Sequence, residues 1–236
     1  MTQPTVCVGY IHSNEEPILQ TSLKIMREYD WVSRIVVLDT DRTDHEKVVD
    51  HKTHRFAADF GTGIAKPVEQ GGLNQIAARR RLLQLCRETG CDWILVVDAD
   101  EYFTYATYRA IRHAHDASPR VCRMRVACHH FLDPWSWCNL RPDLSLRLIT
   151  RCIRADAGAC DYKHNPKLAR ANQTQHCYLS GGEAFVEHTA ILHVHTRYLY
   201  PHRVRNEKHL EWMRNHADHD PQFQLHPYVL QAIKQS

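Results

Sequence analysis

Two carboxylates separated by one alanine, Asp98-Ala99-Asp100, follow directly on the apolar run Trp93-Ile94-Leu95-Val96-Val97. Continuous apolar residues of this length read as a strand buried on both faces, and acids at the carboxyl end of such a strand line the crevice where α/β folds bind ligands. In extended backbone the two side chains fall on one side of the chain. Hard oxygen ligands in that arrangement suit Mg2+ or Mn2+, which takes one or two carboxylates and fills its shell with water and substrate phosphates. Acids also end strands simply by solvating a turn. The D-A-D-E run immediately after W-I-L-V-V is what sharpens the functional reading.

A second set of chemically able residues is the histidines. There are 18, and His188, His193, His195, His202, His209, His216, His219 and His226 crowd the C-terminal end. Neutral imidazole binds transition metals, but most histidines are surface or hydrogen-bonded structural groups. His193 and His195 alternate within the strand-like run Ala190 to His195 and so share one face, which makes them the candidates for the same metal. His202, His209 and His216 recur every seventh residue and track one side of a helix. Arg79, at the head of Arg79-Arg80-Arg81, is a candidate phosphate contact, whereas the other two read as a solvated helix face. Trp135 and Trp137 could stack on a sugar or base, or close the rim of the core.

These residues need a scaffold. Thr5 to Ile11 is a β-branched, apolar strand, and Ser13 or Asn14 can cap the helix that follows. Arg34 to Leu38 is a second buried strand, ending at Asp39-Thr40-Asp41. Strand, helix, strand implies a parallel pair. A short strand is expected near His54 to Ala58, a helix over Asn74 to Arg87 stopping at Gly90, and then the strand carrying the acids. Beyond it the pattern predicts a helix from Thr107 to His115, strands at Val121 to Cys128, Leu144 to Ile153 and Ala190 to His195, a polar stretch from Ala155 to Gly182, and a helix from Arg203 to Asn215. No repeat or linker divides the chain, so residues 1–236 are read as one domain.

Composition narrows the class. Nine scattered cysteines without C-x-x-C spacing favour reduced thiols and a cytoplasmic setting over a disulfide framework or cysteine zinc site. A net charge of +3 is too small for a general nucleic-acid binder. No apolar run reaches the length of about 18 residues that a transmembrane helix needs, and no signal core is visible.

With the strand TVCVGYI, Asn14-Glu15-Glu16, the strand RIVVLDT, Asp41, Thr43-Asp44, Asn74, Ala78-Arg79 and DWILVVDADE in view, the chain resembles the family-2 glycosyltransferases with the GT-A fold. The resemblance covers residues 1–105 and implies an α/β fold with a mostly parallel central sheet and flanking helices. Residues up to about 105 would form the nucleotide-sugar-binding half, and those from about 106 to 236 the acceptor-binding half. It implies that Asp39, with Asp41 as neighbour, contacts the nucleoside, that Asp100 holds Mn2+ or Mg2+ at the diphosphate, and that Asp98 lies near ribose or metal-bound water. Leu146-Arg147-Leu148-Ile149 is similar to a strand of that family. Asp161-Tyr162-Lys163-His164 falls where many members carry a His-Glu pair, but Asn165 stands in place of that Glu. Ile191 to His195 resembles a late strand whose histidine completes the metal shell.

The implied reaction moves a sugar from a nucleoside diphosphate sugar to an acceptor hydroxyl with inversion. Its barrier lies in the departing diphosphate charge and a weak nucleophile. Arg79 and Lys163 are candidates for neutralising the leaving group, and Asp143, Asp161, Glu183 and Glu187 for the base. The acceptor is open: a saccharide, a lipid-linked sugar, a protein or a modified nucleobase. Two alternatives use similar residues. One is a non-catalytic nucleotide- or sugar-binding module. The other is a nucleotidyltransferase, which should carry a glycine-rich basic loop after the first strand, and Thr5 to Glu16 lacks one. A histidine-rich metal hydrolase lacks any H-E-x-x-H run.

Overall fold

The structure is a computed structural model. It describes residues 3–12, 15–40, 50–57, 71–117, 120–134, 136–138, 148–158, 160–164, 177–186, 192–196, 199, 207–215, 218–219 and 224–235. Of the candidate site residues, Asp41, Asp143 and Glu187 lie outside these. His193, His195 and Glu183 are described in their backbone only.

The first half is a parallel sheet. Strands β1 (Val6–His12), β2 (Val32–Asp39), β3 (Thr53–Ala57) and β4 (Trp93–Asp98) lie in the order β3-β2-β1-β4, all parallel. Helix α1 (Glu16–Glu28) joins β1 to β2, and α2 (Gly71–Glu88) leads into β4. β1, β2 and β4 carry continuous apolar runs because helices cover both faces. Val6, Val8, Tyr10, Ile35, Val37, Trp93, Leu95 and Val97 pack in the core under α1. Cys7, Val36, Leu38, Ile94 and Val96 pack in the core under α2, with Leu82, Leu83 and Cys86. Alternation along each strand therefore assigns successive side chains to opposite helical layers.

One close approach depends on glycine. A Cβ at Gly9 would lie 2.7 Å from Cys86 Sγ and 3.3 Å from Leu82, so the bare backbone of β1 is what lets α2 pack this tightly. At the other end of α2, Gly90 has φ +72, the left-handed conformation that stops a helix at little steric cost.

The second half extends the same sheet with mixed pairing and adds a separate two-stranded sheet. It comprises β5 (Glu101–Phe103), α3 (Tyr105–Ala117), β6 (Val121–Phe131), β7 (Ser136–Cys138), β8 (Leu148–Arg154), the hairpin β9 (Asp161–His164) and β10 (Cys177–Ser180), β11 (Glu183–Val186), β12 (Leu192–His195), α4 (Glu207–Asn215), β13 (Asp218–His219) and α5 (Pro227–Gln235). β8 runs antiparallel between β4 and β6, while β11 and β12 lie parallel to β6. The whole is an α/β fold with a central, mostly parallel sheet between helices. No helix among the described residues is long and apolar enough to cross a membrane.

Three expectations need correction. The acid pair is not in extended backbone: residues 99–100 form a turn, and β5 leaves it running opposite to β4. The reversal is stabilised by Glu101, whose carboxylate Oε2 accepts the Asp98 backbone N–H at 2.9 Å. Helix α1 is capped at Glu15, with no side-chain cap bond, while Ser13 and Asn14 lie outside the described residues. The polar stretch from Ala155 to Gly182 contains the hairpin β9-β10, whose Tyr162 and Leu179 are buried against α2.

Candidate functional site

The acids stand at the carboxyl end of β4, the same end at which β1 and β2 finish. In register, Ile11 of β1 is opposite Asp98 on one side, and the next residue, His12, is opposite Asp39 on the other. Asp98 is in phase with Ile94 and Val96, so it faces the α2 layer. That phase brings it to Arg79 of α2, whose Nη2 donates to Asp98 Oδ1 at 3.0 Å. Arg151 of β8 is in phase with Ile153 on the same layer, and its Nη2 donates to Asp98 Oδ2 at 3.0 Å and to Glu101 Oε1 at 2.9 Å.

These four side chains form a balanced cluster of two guanidinium and two carboxylate groups. Glu101 is 1% exposed and Arg151 18%, whereas Asp98 keeps 31% of its side chain open. Burial would raise the Asp98 carboxyl, but the charges of Arg151 and Arg79 outweigh it and hold the group well below the usual carboxylate range. Both Asp98 oxygens accept from a guanidinium, so its lone pairs are committed mainly to organising arginines. Behind the cluster, Cys128 Sγ contacts His130 Nε2 at 3.4 Å. The thiol is pushed up first by burial and then by the nearby Glu101 charge.

Asp100 lies in the turn, 9% exposed. Its backbone carbonyl accepts from Thr196 N at 2.9 Å and Thr196 Oγ1 at 2.8 Å. These bonds fasten the end of β12 to the turn, and the register of β12 sets position 195 between Glu101 of β5 and His130 of β6, and position 193 between Phe103 and Cys128. From the α1 side, Ser22 Oγ donates to the Glu101 carbonyl and also pairs with the Tyr10 hydroxyl at 2.8 Å. The turn is thus held from three directions by groups far apart in sequence.

The other candidates are distributed unevenly around this cluster. Asp39 is buried and in phase with Val37, which assigns it to the α1 layer, so it shares the sheet end with Asp98 but not its cluster. Asp161 pairs with Arg80 at 2.9 Å on the flank of α2, and Lys163 is exposed on β9. Glu183 sits opposite Val121 at the start of β6, whereas position 193 sits opposite Cys128. That separation is roughly 20 Å at about 3.3 Å per residue, so Glu183 lies toward the far end of the sheet from the acids. Of the arginine triplet, Arg79 turns inward, while Arg80 and Arg81 pair with Asp161 and Glu88.

Arg151, Glu101 and Tyr162 are the residues sequence reasoning missed. Tyr162 lies beneath Arg79, with the guanidinium carbon 5.6 Å from the ring centre. An arginine four residues beyond Arg147, inside the apolar strand L-I-T-R-C-I, was the available signal for Arg151.

Both Asp98 oxygens are taken by arginines, so a divalent cation at this turn would have to be held through Asp100, with water and substrate oxygens completing its shell. Among the described residues no group of three or more His, Cys, Asp or Glu converges on one point.

No protein-family profile and no curated protein matches this sequence. Among solved structures, the chain is similar to the mannosyltransferase PcManGT from Pyrobaculum calidifontis in complex with GDP-Man and Mn2+, at 18% identity and TM-score 0.38, over 54% of this chain and 36% of that one. It is also similar to S. aureus TarS 1-349, at 14% identity and TM-score 0.48, over 83% and 61%. A mycobacterial protein is similar at 12% identity and TM-score 0.42, over 89% and 71%. The chain spans 36% and 61% of the first two of these structures. The functional reading therefore rests on the residues of the site.

Proposed function

We propose that this chain is a glycosyltransferase that moves a sugar from a nucleoside diphosphate sugar to an acceptor hydroxyl. The observation that carries the reading is the acid turn at the carboxyl ends of parallel strands, with Asp98 gripping Arg79 and Arg151 beside Asp100. Carboxylates alone would repel a diphosphate. Two guanidinium groups beside them make the crevice suited to one.

In this reading Asp100 holds Mn2+ or Mg2+, with position His195 of β12 as the adjacent candidate ligand and His193 behind it. A divalent cation, when bound, supplies Lewis-acid neutralisation of the diphosphate charge. Asp98 orients Arg79 toward the leaving group, and Lys163 can add charge from β9. Asp39, with Asp41, is the proposed nucleoside contact. The base that takes the acceptor proton is sought among Asp143, Glu187 and Asp161, since Glu183 is remote and Asp161 would first have to leave Arg80. The acceptor stays as broad as a saccharide, a lipid-linked sugar, a protein or a modified nucleobase, and inversion of the anomeric centre belongs to the same proposal.

Titration calorimetry with UDP and GDP, with and without Mn2+, tests the reading. Wild type is expected to bind one of them more tightly with Mn2+, and Asp100→Ala to lose that metal-dependent gain while melting cooperatively. An unchanged metal-dependent affinity in Asp100→Ala would sink the assignment.

A further inference from the structure

We infer that Cys122 and Cys160 are a redox pair, which glutathione disulfide converts on the folded chain into an intramolecular disulfide that moors the start of β9 to β6. The inference is independent of the nucleotide-sugar reading.

Three features of the backbone meet at this pair. β6 opposes β11 with a register shift, in which Val121 faces Glu183 and Arg123 faces Ala184, so Cys122 is the extra residue of a bulge. A bulge re-aims the side chain it carries. Gly181 and Gly182, between β10 and β11, have φ +113 and +62, the left-handed region that favours glycine. A Cβ at Gly182 would lie 2.7 Å from Cys122 Sγ and 3.7 Å from Cys160 Sγ, so the missing side chain leaves open the space around which both sulfurs stand. The Cys160 thiol donates to the Gly181 carbonyl at 3.2 Å and lies 3.6 Å from the carbonyl oxygen of Cys122 itself.

The two thiols differ in the way an entry thiol and a resolving thiol differ. Cys122 is half-buried, and its Sγ bonds only weakly, at an exposed site, to the Arg120 carbonyl at 3.2 Å. Cys160 is fully buried. The Cys122 thiolate attacks one sulfur of glutathione disulfide, which forms a mixed disulfide and releases one glutathione. The Cys160 thiolate then attacks Cys122 Sγ, which forms the Cys122–Cys160 bond and expels the second glutathione. Two protein thiols are oxidised, one glutathione disulfide is reduced, and the two protons leave on the two glutathione thiols. Burial pushes the Cys160 thiol up, so the resolving step quickens as pH rises.

The bond would act on a segment that touches the arginines of α2. Arg87 Nη2 donates to the Cys160 carbonyl at 2.9 Å, Asp161 pairs with Arg80, and Tyr162 lies beneath Arg79. A covalent tie between residues 38 apart also restricts the unfolded chain, and so stabilises the fold that carries this segment.

The test incubates the folded full chain in glutathione buffers from fully reduced to fully oxidised, below its melting transition. Non-reducing peptide mapping reads the products. Wild type is expected to lose two hydrogens in mass, to yield a Cys122–Cys160 cross-linked peptide, and to melt about 5 °C or more higher than its reduced form. Cys122→Ser should form no such bond, and Cys160→Ser should stop with glutathione attached to Cys122. Cys160→Ala stands in for Cys160→Ser if that variant does not melt cooperatively. Folded wild type that keeps both thiols in the oxidised buffer, that stops at the mixed disulfide, or that joins either cysteine to another partner overturns the redox pair. A Cys122–Cys160 bond that leaves the melting temperature unchanged overturns the mooring.

Discussion

Arg79 of α2 and Asp98 of β4 meet at 3.0 Å across the layer boundary between helix and sheet. With Arg151 on the other oxygen, the carboxylate is stabilised in its charged form, so its folded-state pKa lies below its unfolded value of about 3.9. Such a group contributes stability that is complete above the unfolded pKa and is lost as pH falls toward the folded one. The melting temperature of wild type is therefore expected to exceed that of Asp98→Asn near neutrality, with the gap closing below about pH 4. A gap that stays constant from pH 7 to pH 3 would show that Asp98 is not the ionised partner of these arginines.

Glu101 is the structural member of the acid run. Glu101→Ala leaves Arg151 with one carboxylate and the Asp98 N–H without its acceptor, and the loss of one partner from a buried pair costs about 3 to 5 kcal/mol. Urea unfolding should place Glu101→Ala far below both wild type and Asp100→Ala. Equal midpoints for the two alanine variants would contradict this division of labour.

Asp39 gives a different signature because it lies in the α1 layer, apart from the arginines. Asp39→Asn is expected to weaken UDP or GDP binding by about 1 to 3 kcal/mol, by the same factor with and without Mn2+. Pyrophosphate, which has no nucleoside, should bind as to wild type. A loss confined to the Mn2+ titrations would instead assign Asp39 to the metal.

Gly9→Ala probes the packing of α2 on β1. The added methyl would sit 2.7 Å from Cys86 Sγ, an overpacking that costs about 1 to 3 kcal/mol. Cys86→Ala removes the obstructing sulfur, so Gly9→Ala should cost less in that background. Additive losses in the double variant would place the strain elsewhere.

The parts of this fold that were legible in the sequence are those with both faces buried. β1, β2 and β4 are continuous apolar runs, and α2 carries its apolar residues at helical spacing, so local pattern and tertiary environment agree. Many strands of the second half are short, and the longer β6 and β8 are mixed in polarity. β9 spells Asp-Tyr-Lys-His, with Tyr162 inward and Lys163 outward, and four alternating residues do not distinguish a strand from a loop. Asp98 and Asp100 stood out because they end a strong strand. Their turn did not, because it depends on Glu101 folding back and on Thr196 arriving from the distant β12. Arg79 was legible as a phosphate candidate, whereas its bond to Asp98 requires knowing that α2 and the even-numbered residues of β4 share a layer. Arg151 was hidden for the same reason, since β8 is inserted beside β4 only by antiparallel pairing.

The stitching of Thr196 to Asp100 has a consequence for synthesis. The two residues are 96 apart, so the carbonyl that shapes the acid turn has no strand to receive it until the chain has grown that far. At a ribosomal rate of about 5 to 20 residues per second, the first parallel strands wait roughly 5 to 20 s before the turn can close. During that interval the edge of the nascent sheet presents unpaired backbone to other chains. Slowing elongation between codons 105 and 190 should therefore raise the fraction captured by chaperones, without changing the stability of the finished protein.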